Sequence, residues 1–308
     1  MNSKVSVIGA GNVGATIAQL LASENISDVV LFDILEGMPQ GKALDIAEAC
    51  PVWKSSASVV GTNDFADTAG SDVLVLTAGF PRKPGMSRDD LLLANADVIR
   101  TVVKGTSGLS PDSVLIIVTN PMDAMAHMAL DESGFASQKV LGMGGILDSA
   151  RLRTFVSMEL GISPKDIETL VLGGHGDQMV PLIRYTTVKG VPITELLDRN
   201  RINSLIERTQ NGGAEIVSFL KTGSAYYAPA ASTVEMIRAV LYDEKRLLPC
   251  SALLDGPYGI SGLFIGVPVY LGKNGVEKIV ELQLTEGERE LLEKSAASVK
   301  DLLSVLKK

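Results

Sequence analysis

Four short runs in the first half of the chain are apolar almost throughout, with no alternating polar face. They are Lys4–Ile8, 29–32, 73–77 and 114–119, the last reading Val-Leu-Ile-Ile-Val-Thr. Continuous runs of branched residues mark strands buried on both sides of a parallel sheet. Between them, segments 13–23, 38–50, 91–105 and Met122–Ser133 carry helical patterns. Strands alternating with helices predict βαβ units and a doubly wound sheet.

The pattern changes after residue 146. Segment 147–160 reads as a long helix, ended by Gly161 and Pro164. Two strand-like pieces, 167–172 and 180–187, flank a loop containing His175. Segment 195–220 is mainly helical, with Gly212-Gly213 as an interruption, and 232–242 is a further helix. Runs 247–254, 263–269 and 276–282, separated by Gly and Pro turns, predict an antiparallel meander. Glu286–Leu306 closes the chain as a helix with Leu291, Leu292, Val299, Leu302, Leu303 and Leu306 on one broad face. The change of pattern near 142–146 divides the chain into domains 1–144 and 145–308, with no internal repeat.

Composition narrows the function classes. At 308 residues and 46% hydrophobic, the chain can bury a substantial core. A net charge of −8 without a basic tract argues against a nucleic-acid partner. No apolar stretch approaches the ~20 residues of a bilayer span, so no membrane partner is expected. A secretory leader is not expected either, because Met1-Asn2-Ser3-Lys4 runs straight into the first strand. Cys50 and Cys250 fit no disulfide or ligand framework, which points to a reducing, cytoplasmic setting. Glu48 and Cys50 lack metal-ligand company, and no metal site is expected.

Gly9-Ala10-Gly11-Asn12-Val13-Gly14 matches G-x-G-x-x-G, follows the first strand and opens the first helix. Gly9 permits the tight turn, Gly11 lets a pyrophosphate approach, and Gly14 lets helix and strand pack closely. The free N–H groups of the first helical turn then face the phosphates. Asp33 ends the second strand at the spacing expected of the ribose-binding acid, and its charge favours NAD over NADP. The expected fold is therefore α/β: a Rossmann-type doubly wound parallel sheet followed by an α+β substrate domain with antiparallel strands.

The second half offers acid–base chemistry. His175 is one of only two histidines and sits in Gly-Gly-His-Gly-Asp (173–177). Imidazole exchanges protons near neutral pH. Oxidation of a hydroxy acid needs such a base, an anchor for the substrate carboxylate and a positive partner for the developing carbonyl. Asp148 and Arg151 lie three apart on one predicted helix and share a face. They are read either as a surface ion pair or as a partner for His175 and a guanidinium anchor. The Pro/Gly-punctuated stretch 77–88 carries Arg82, Lys83 and Arg88 beyond a strand end, where a loop can close over an anion. Asn120 follows another strand at the same edge, as a ligand contact or a turn residue. Ser224 is read as pocket lining or a helix start. His127, in a Met- and Ala-rich stretch, is read as packed.

These motifs together resemble the lactate/malate dehydrogenase family, on its lactate-dehydrogenase-like malate dehydrogenase branch. The resemblance runs from about Lys4 to the last helix. It rests on Gly9–Gly14, Asp33, Thr77-Ala78-Gly79, the 82–88 loop, Val118-Thr119-Asn120-Pro121, Leu147–Arg151 and Gly174–Asp177. It implies that His175 carries the proton, Asp148 orients it, Arg151 clamps the substrate carboxylate and Arg88 polarises the carbonyl. Asn120 would position the substrate, and Asn95 matches a cofactor- and substrate-linked position. Lactate enzymes of the family usually carry Gln where this chain has Arg82. Arg82 therefore implies a dicarboxylate, (S)-malate or oxaloacetate, as the small-molecule partner. Met143-Gly144-Gly145 departs from the family pattern, which has Ala after the first Gly; this slightly loosens the chain there and touches no catalytic role. The family forms dimers and tetramers, so a homotetramer or homodimer is implied, through surfaces including 38–50 and the region of Glu159. A lactate dehydrogenase of the same fold and a catalytically silent NAD-binding sensor are the rival readings.

Overall fold

The strands and helices expected of the first half form in a computed structural model that describes residues 3–80, 87–176 and 178–306. In order they are β1 (Lys4–Ile8), α1 (Asn12–Ser23), β2 (Asp28–Phe32), α2 (Met38–Trp53), β3 (Val59–Thr62), β4 (Val73–Leu76), α3 (Arg88–Thr106), β5 (Val114–Ile117), α4 (Met122–Ser133) and β6 (Val140–Gly142). These six strands lie parallel in the order β3-β2-β1-β4-β5-β6. Val73–Leu76 and Val114–Ile117 are essentially inaccessible, as their unbroken apolar character predicts. The order reverses between β1 and β4, the place where such sheets open a ligand crevice.

The second half comprises α5 (Gly145–Leu160), β7 (Ile167–Glu168), β8 (Val171–Leu172), β9 (Val180–Pro181), β10 (Thr187–Val188), β11 (Val191–Pro192), α6 (Ile193–Leu196), α7 (Arg199–Leu220), α8 (Tyr227–Leu241), β12 (Arg246–Asp255), β13 (Ser261–Gly272), β14 (Gly275–Ile279) and α9 (Glu286–Leu306). The antiparallel meander β12-β13-β14 forms and extends the first sheet, because Ser251 of β12 pairs with Gly142 of β6. One nine-stranded mixed sheet results. A smaller core, including Leu152, Val156, Ile167 and Leu205, packs under the remaining elements.

Three expectations about the second half need correction. The run 167–172 is not one strand. Ser149 of α5 takes its middle: the Thr169 hydroxyl donates to the Ser149 carbonyl at 2.8 Å, and the Val171 N–H donates to Ser149 Oγ at 3.1 Å. β7 therefore pairs with β10 and β8 with β9, in separate small sheets. The run 180–187 divides likewise, at a single turn of 3-10 helix, Ile183–Tyr185. Nor do Gly212-Gly213 interrupt α7, which continues to Leu220. Among the described residues, no helix is long and apolar enough to cross a membrane.

Candidate active site

At the carboxyl end of β1, Gly9 turns the chain with φ at 112°, a region that side chains with a Cβ rarely adopt. Its N–H donates to the Phe32 carbonyl of β2 at 2.8 Å, fixing the turn to the neighbouring strand. Gly14 packs so closely on this turn that a Cβ would stand 1.8 Å from the Gly9 oxygen. Gly11, by contrast, faces open space and begins α1 without a side-chain cap. The first N–H groups of α1, including those of Asn12 and Val13, therefore lack helical partners.

Asp33 reaches back to this loop. Its Oδ2 accepts the Ala10 N–H at 2.7 Å and its Oδ1 accepts the Leu35 N–H at 3.0 Å. Each carboxylate oxygen keeps a lone pair for a further donor. The Thr77 hydroxyl donates to the Gly9 carbonyl at 3.0 Å, and the Thr119 hydroxyl donates to Ala78 at 2.7 Å. Val118 is tied through its N–H to Leu76 at 2.9 Å. Gly79 lies so close to Thr119 and Asn95 that a Cβ would meet the Thr119 methyl at 2.6 Å. The ends of β1, β2, β4 and β5 thus form one edge. Its open glycine, uncapped helix start and carboxylate fit the pyrophosphate and ribose of a dinucleotide.

Asn95 ties this edge to the next loop. It is buried on α3, and its Oδ1 accepts the Phe80 N–H at 2.7 Å. Its Nδ2 donates to the Asn120 carbonyl at 2.7 Å. The start of α3 is set by a capping box, with the Ser87 hydroxyl accepting the Asp90 N–H and the Asp90 carboxylate accepting the Ser87 N–H. That cap makes Arg88 the first residue of α3. The side chain of Arg88, and Arg82, Lys83 and Asp177 entirely, lie outside the described residues.

His175 Nδ1 stands 3.0 Å from Asp148 Oδ2. Asp148 Oδ1 faces Arg151 Nη1 at 3.4 Å, so the two residues sharing a helical face both enter the site. The three side chains are 11, 2 and 14% exposed, which excludes a loose surface ion pair. Burial is the largest influence on the imidazole and pulls its pKa down. The charge and hydrogen bond of Asp148, helped by Asp123 against Arg151, reverse this and leave it above its ordinary 6.5. Burial also draws the Arg151 guanidinium below its ordinary value, with Asp148 opposing.

His175 and Asn120 line one cavity of about 360 Å³, together with Pro121, Asp123 and Ser295. Ser224 is exposed on the segment between α7 and α8, and the helix there starts only at Tyr227. A second cavity, of about 450 Å³, lies between His127 and Lys300. His127 there is packed, with Nε2 3.0 Å from the Gly262 carbonyl and its ring edge-on to Phe264.

Several residues in contact with the site belong to none of the motifs read in the sequence. Lys42 donates to the Ala10 carbonyl at 2.7 Å and braces the glycine loop. Asp123 accepts the His175 N–H at 2.9 Å, and Ser295 accepts the Gly174 N–H at 2.7 Å. Gly212 and Gly213 lie against Arg151, where a Cβ on Gly212 would meet its Cδ at 3.2 Å. The one available signal was an acid, Asp123, inside an otherwise apolar stretch three residues after Asn120.

Residues 3–142 match the lactate/malate dehydrogenase NAD binding domain, and residues 146–308 match the lactate/malate dehydrogenase alpha/beta C-terminal domain. Malate dehydrogenase of Thermomicrobium roseum is 56% identical over 307 residues, covering 100% of this chain and 99% of that one. Among solved structures, the apo malate dehydrogenase of Picrophilus torridus superposes with a TM-score of 0.97 at 47% identity, over 99% of this chain and 97% of that one. The lactate dehydrogenase of Cryptosporidium parvum, complexed with lactic acid and nicotinamide adenine dinucleotide, reaches the same TM-score at 42% identity, over 100% and 99% of the two chains.

Proposed function

Because this chain belongs to the lactate/malate dehydrogenase family, we propose that it interconverts (S)-malate and oxaloacetate with NAD. The observation that carries the chemistry is the contact between His175 Nδ1 and Asp148. It commits Nδ1 to the carboxylate and leaves Nε2 as the nitrogen that exchanges a proton with substrate.

The 9–14 loop, Asp33 and the 77–79 and 118–120 segments would hold NAD, which would supply the hydride acceptor or donor. His175 does the proton work beside it. In oxidation, the neutral imidazole takes the proton from the substrate hydroxyl, and Asp148 stabilises the resulting cation. In reduction, the protonated ring returns it. Arg151 grips the C1 carboxylate with two parallel N–H bonds. Asn120 orients the substrate at the mouth of the cavity, and Arg88 polarises the carbonyl. Asn95 holds the cofactor and substrate loops together, and Ser224, on the exposed segment between α7 and α8, is assigned to substrate contact.

Fold alone does not choose between malate and lactate, since solved enzymes of both kinds superpose equally well. Arg82 makes the choice. Oxaloacetate brings a second carboxylate to meet its guanidinium, whereas pyruvate would leave that charge desolvated and unpaired, at a cost of several kcal/mol. A purified-protein assay with NADH should give kcat/KM for oxaloacetate at least about hundredfold above pyruvate. Arg82→Gln should shift preference toward pyruvate, and a variant that still strongly prefers oxaloacetate would defeat this account of specificity.

The protein acts as a cytoplasmic homodimer or homotetramer in this reading. Cys50 and Cys250 are both free and buried, which suits a reducing compartment. Leu44 and Val52 on α2, and Met158 beside Glu159, present exposed apolar side chains for self-association. Light scattering on the purified protein tests this, and a monomer would end it.

A further inference from the structure

Asp148 accounts for the ring of His175 but not for its main chain. Three successive residues of that loop are held by three different elements. Gly173 exchanges two backbone hydrogen bonds with Gly266 of β13, at 2.9 and 3.1 Å. Gly174 donates to Ser295 Oγ of α9, and the N–H of His175 donates to Asp123 Oδ2 in the first turn of α4. The other oxygen of Asp123 accepts the Ser251 hydroxyl of β12 at 2.6 Å. Both Asp123 and Ser251 are buried. Gly174 lets the loop lie flush on this carboxyl, for a Cβ there would come within 3.3 Å of Asp123 Oδ2.

Asp123 also stands three residues from Asn120 and borders the same cavity. We propose that Asp123 is a positioning residue, fixing the backbone of His175 while Asp148 fixes its ring, and so setting the imidazole in register with Asn120. The inference rests on His175 as the proton carrier. Among the described residues, the charged groups facing the imidazole are Asp148 and Arg151 from α5 and Asp123 from α4. Burial raises the pKa of Asp123, against hydrogen bonds from the Ser251 hydroxyl and the His175 N–H.

Asp123→Asn keeps a carbonyl to accept the His175 N–H, Asp123→Ala keeps none, and Ser251→Ala loosens Asp123 alone. Each is measured for kcat, KM for oxaloacetate, NADH affinity by fluorescence, and imidazole titration by NMR. The titration is readily assigned because the chain has only two histidines. Asp123→Ala should lower kcat at least about tenfold, as expected of a misplaced catalytic group, with NADH affinity held within about twofold. Asp123→Asn should recover most of that loss, and Ser251→Ala should fall between them. Both Asp123 variants should titrate His175 at lower pH, since a facing negative charge is gone. A folded Asp123→Ala protein with wild-type kcat overturns the proposal, as does Asp123→Asn performing no better than Asp123→Ala. If Asp123→Ala does not fold, a Ser251→Ala protein with wild-type kcat overturns it. A wild-type protein inert toward every 2-oxo acid would overturn the role of His175 instead, while the NMR titration would still read the clamp.

Discussion

One carboxylate, Asp148, meets both His175 at 3.0 Å and Arg151 at 3.4 Å. The imidazole and the guanidinium therefore share a single counter-charge, and each tempers the other. Asp148 raises the imidazole pKa, whereas Arg151 lowers it. Their shared helix, α5, keeps Asp148 and Arg151 in fixed register.

The sign of the pH dependence follows. With His175 as the proposed proton carrier, malate oxidation requires its neutral form, so kcat/KM should rise with pH through an apparent pKa above 6.5, the ordinary imidazole value. Oxaloacetate reduction needs the protonated ring and should fall over the same window. The raised pKa also links to stability. The contribution of the protonated ring is fully present below the unfolded value and is lost as pH rises through the higher folded value. Paired pH profiles in the two directions test the assignment, and an oxidation limb centred below 6.5 would contradict it.

Replacing His175 should separate chemistry from binding. His175→Asn should reduce turnover by about 10²–10⁴-fold, the usual worth of positioned acid–base catalysis. NADH affinity should stay unchanged, because the 9–14 loop and Asp33 are on other elements. Asp148→Asn should lower turnover by about tenfold or more and move the oxidation limb to lower pH. Stopped-flow kinetics and fluorescence titration read the two effects, and loss of NADH binding in His175→Asn would count against the separation.

What could be read in advance was local, and what could not was long-range. The glycine turn, α1 and Asp33 follow from spacing within one βαβ unit, so G-x-G-x-x-G and the acid specify them together. His175 and Asp148 were identifiable as chemical types, but their 27-residue separation left the contact to the fold. Asp123 is not legible from local pattern because its partners are 52 and 128 residues away. Segment 167–172 misled for a related reason: its apolar pattern fits a strand, yet Ser149 competes for its backbone. Gly212-Gly213 looks like a helix break until the neighbouring guanidinium is in view.

That glycine pair predicts different outcomes at adjacent positions. A Cβ on Gly212 would stand 3.2 Å from Arg151 Cδ and press on the anchor, whereas one on Gly213 would make ordinary contact at 3.6 Å with Arg151 Nη2. Both lie inside α7, where replacing Gly by Ala ordinarily stabilises by about 0.5–1 kcal/mol. Gly213→Ala should therefore stabilise by about that amount and leave KM for oxaloacetate unchanged. Gly212→Ala should gain less stability and raise KM as Arg151 shifts. Denaturant unfolding with steady-state kinetics decides between them, and equal behaviour of the two variants would remove the steric account.

The glycine loop offers the same kind of contrast for the cofactor. A Cβ on Gly14 would stand 1.8 Å from the Gly9 carbonyl, which is backbone and cannot swing aside. Gly14→Ala should therefore force α1 away from the turn, costing about 1–3 kcal/mol of stability, as overpacking does, and weakening NADH together with the fold. Gly11 has nothing within 4 Å. Gly11→Ala should leave unfolding free energy unchanged while its methyl intrudes where the pyrophosphate approaches, weakening NADH by at least about tenfold. Isothermal titration with NADH beside urea unfolding separates the two losses. Full NADH affinity in a stable Gly11→Ala protein would show that the dinucleotide takes a different path across this edge.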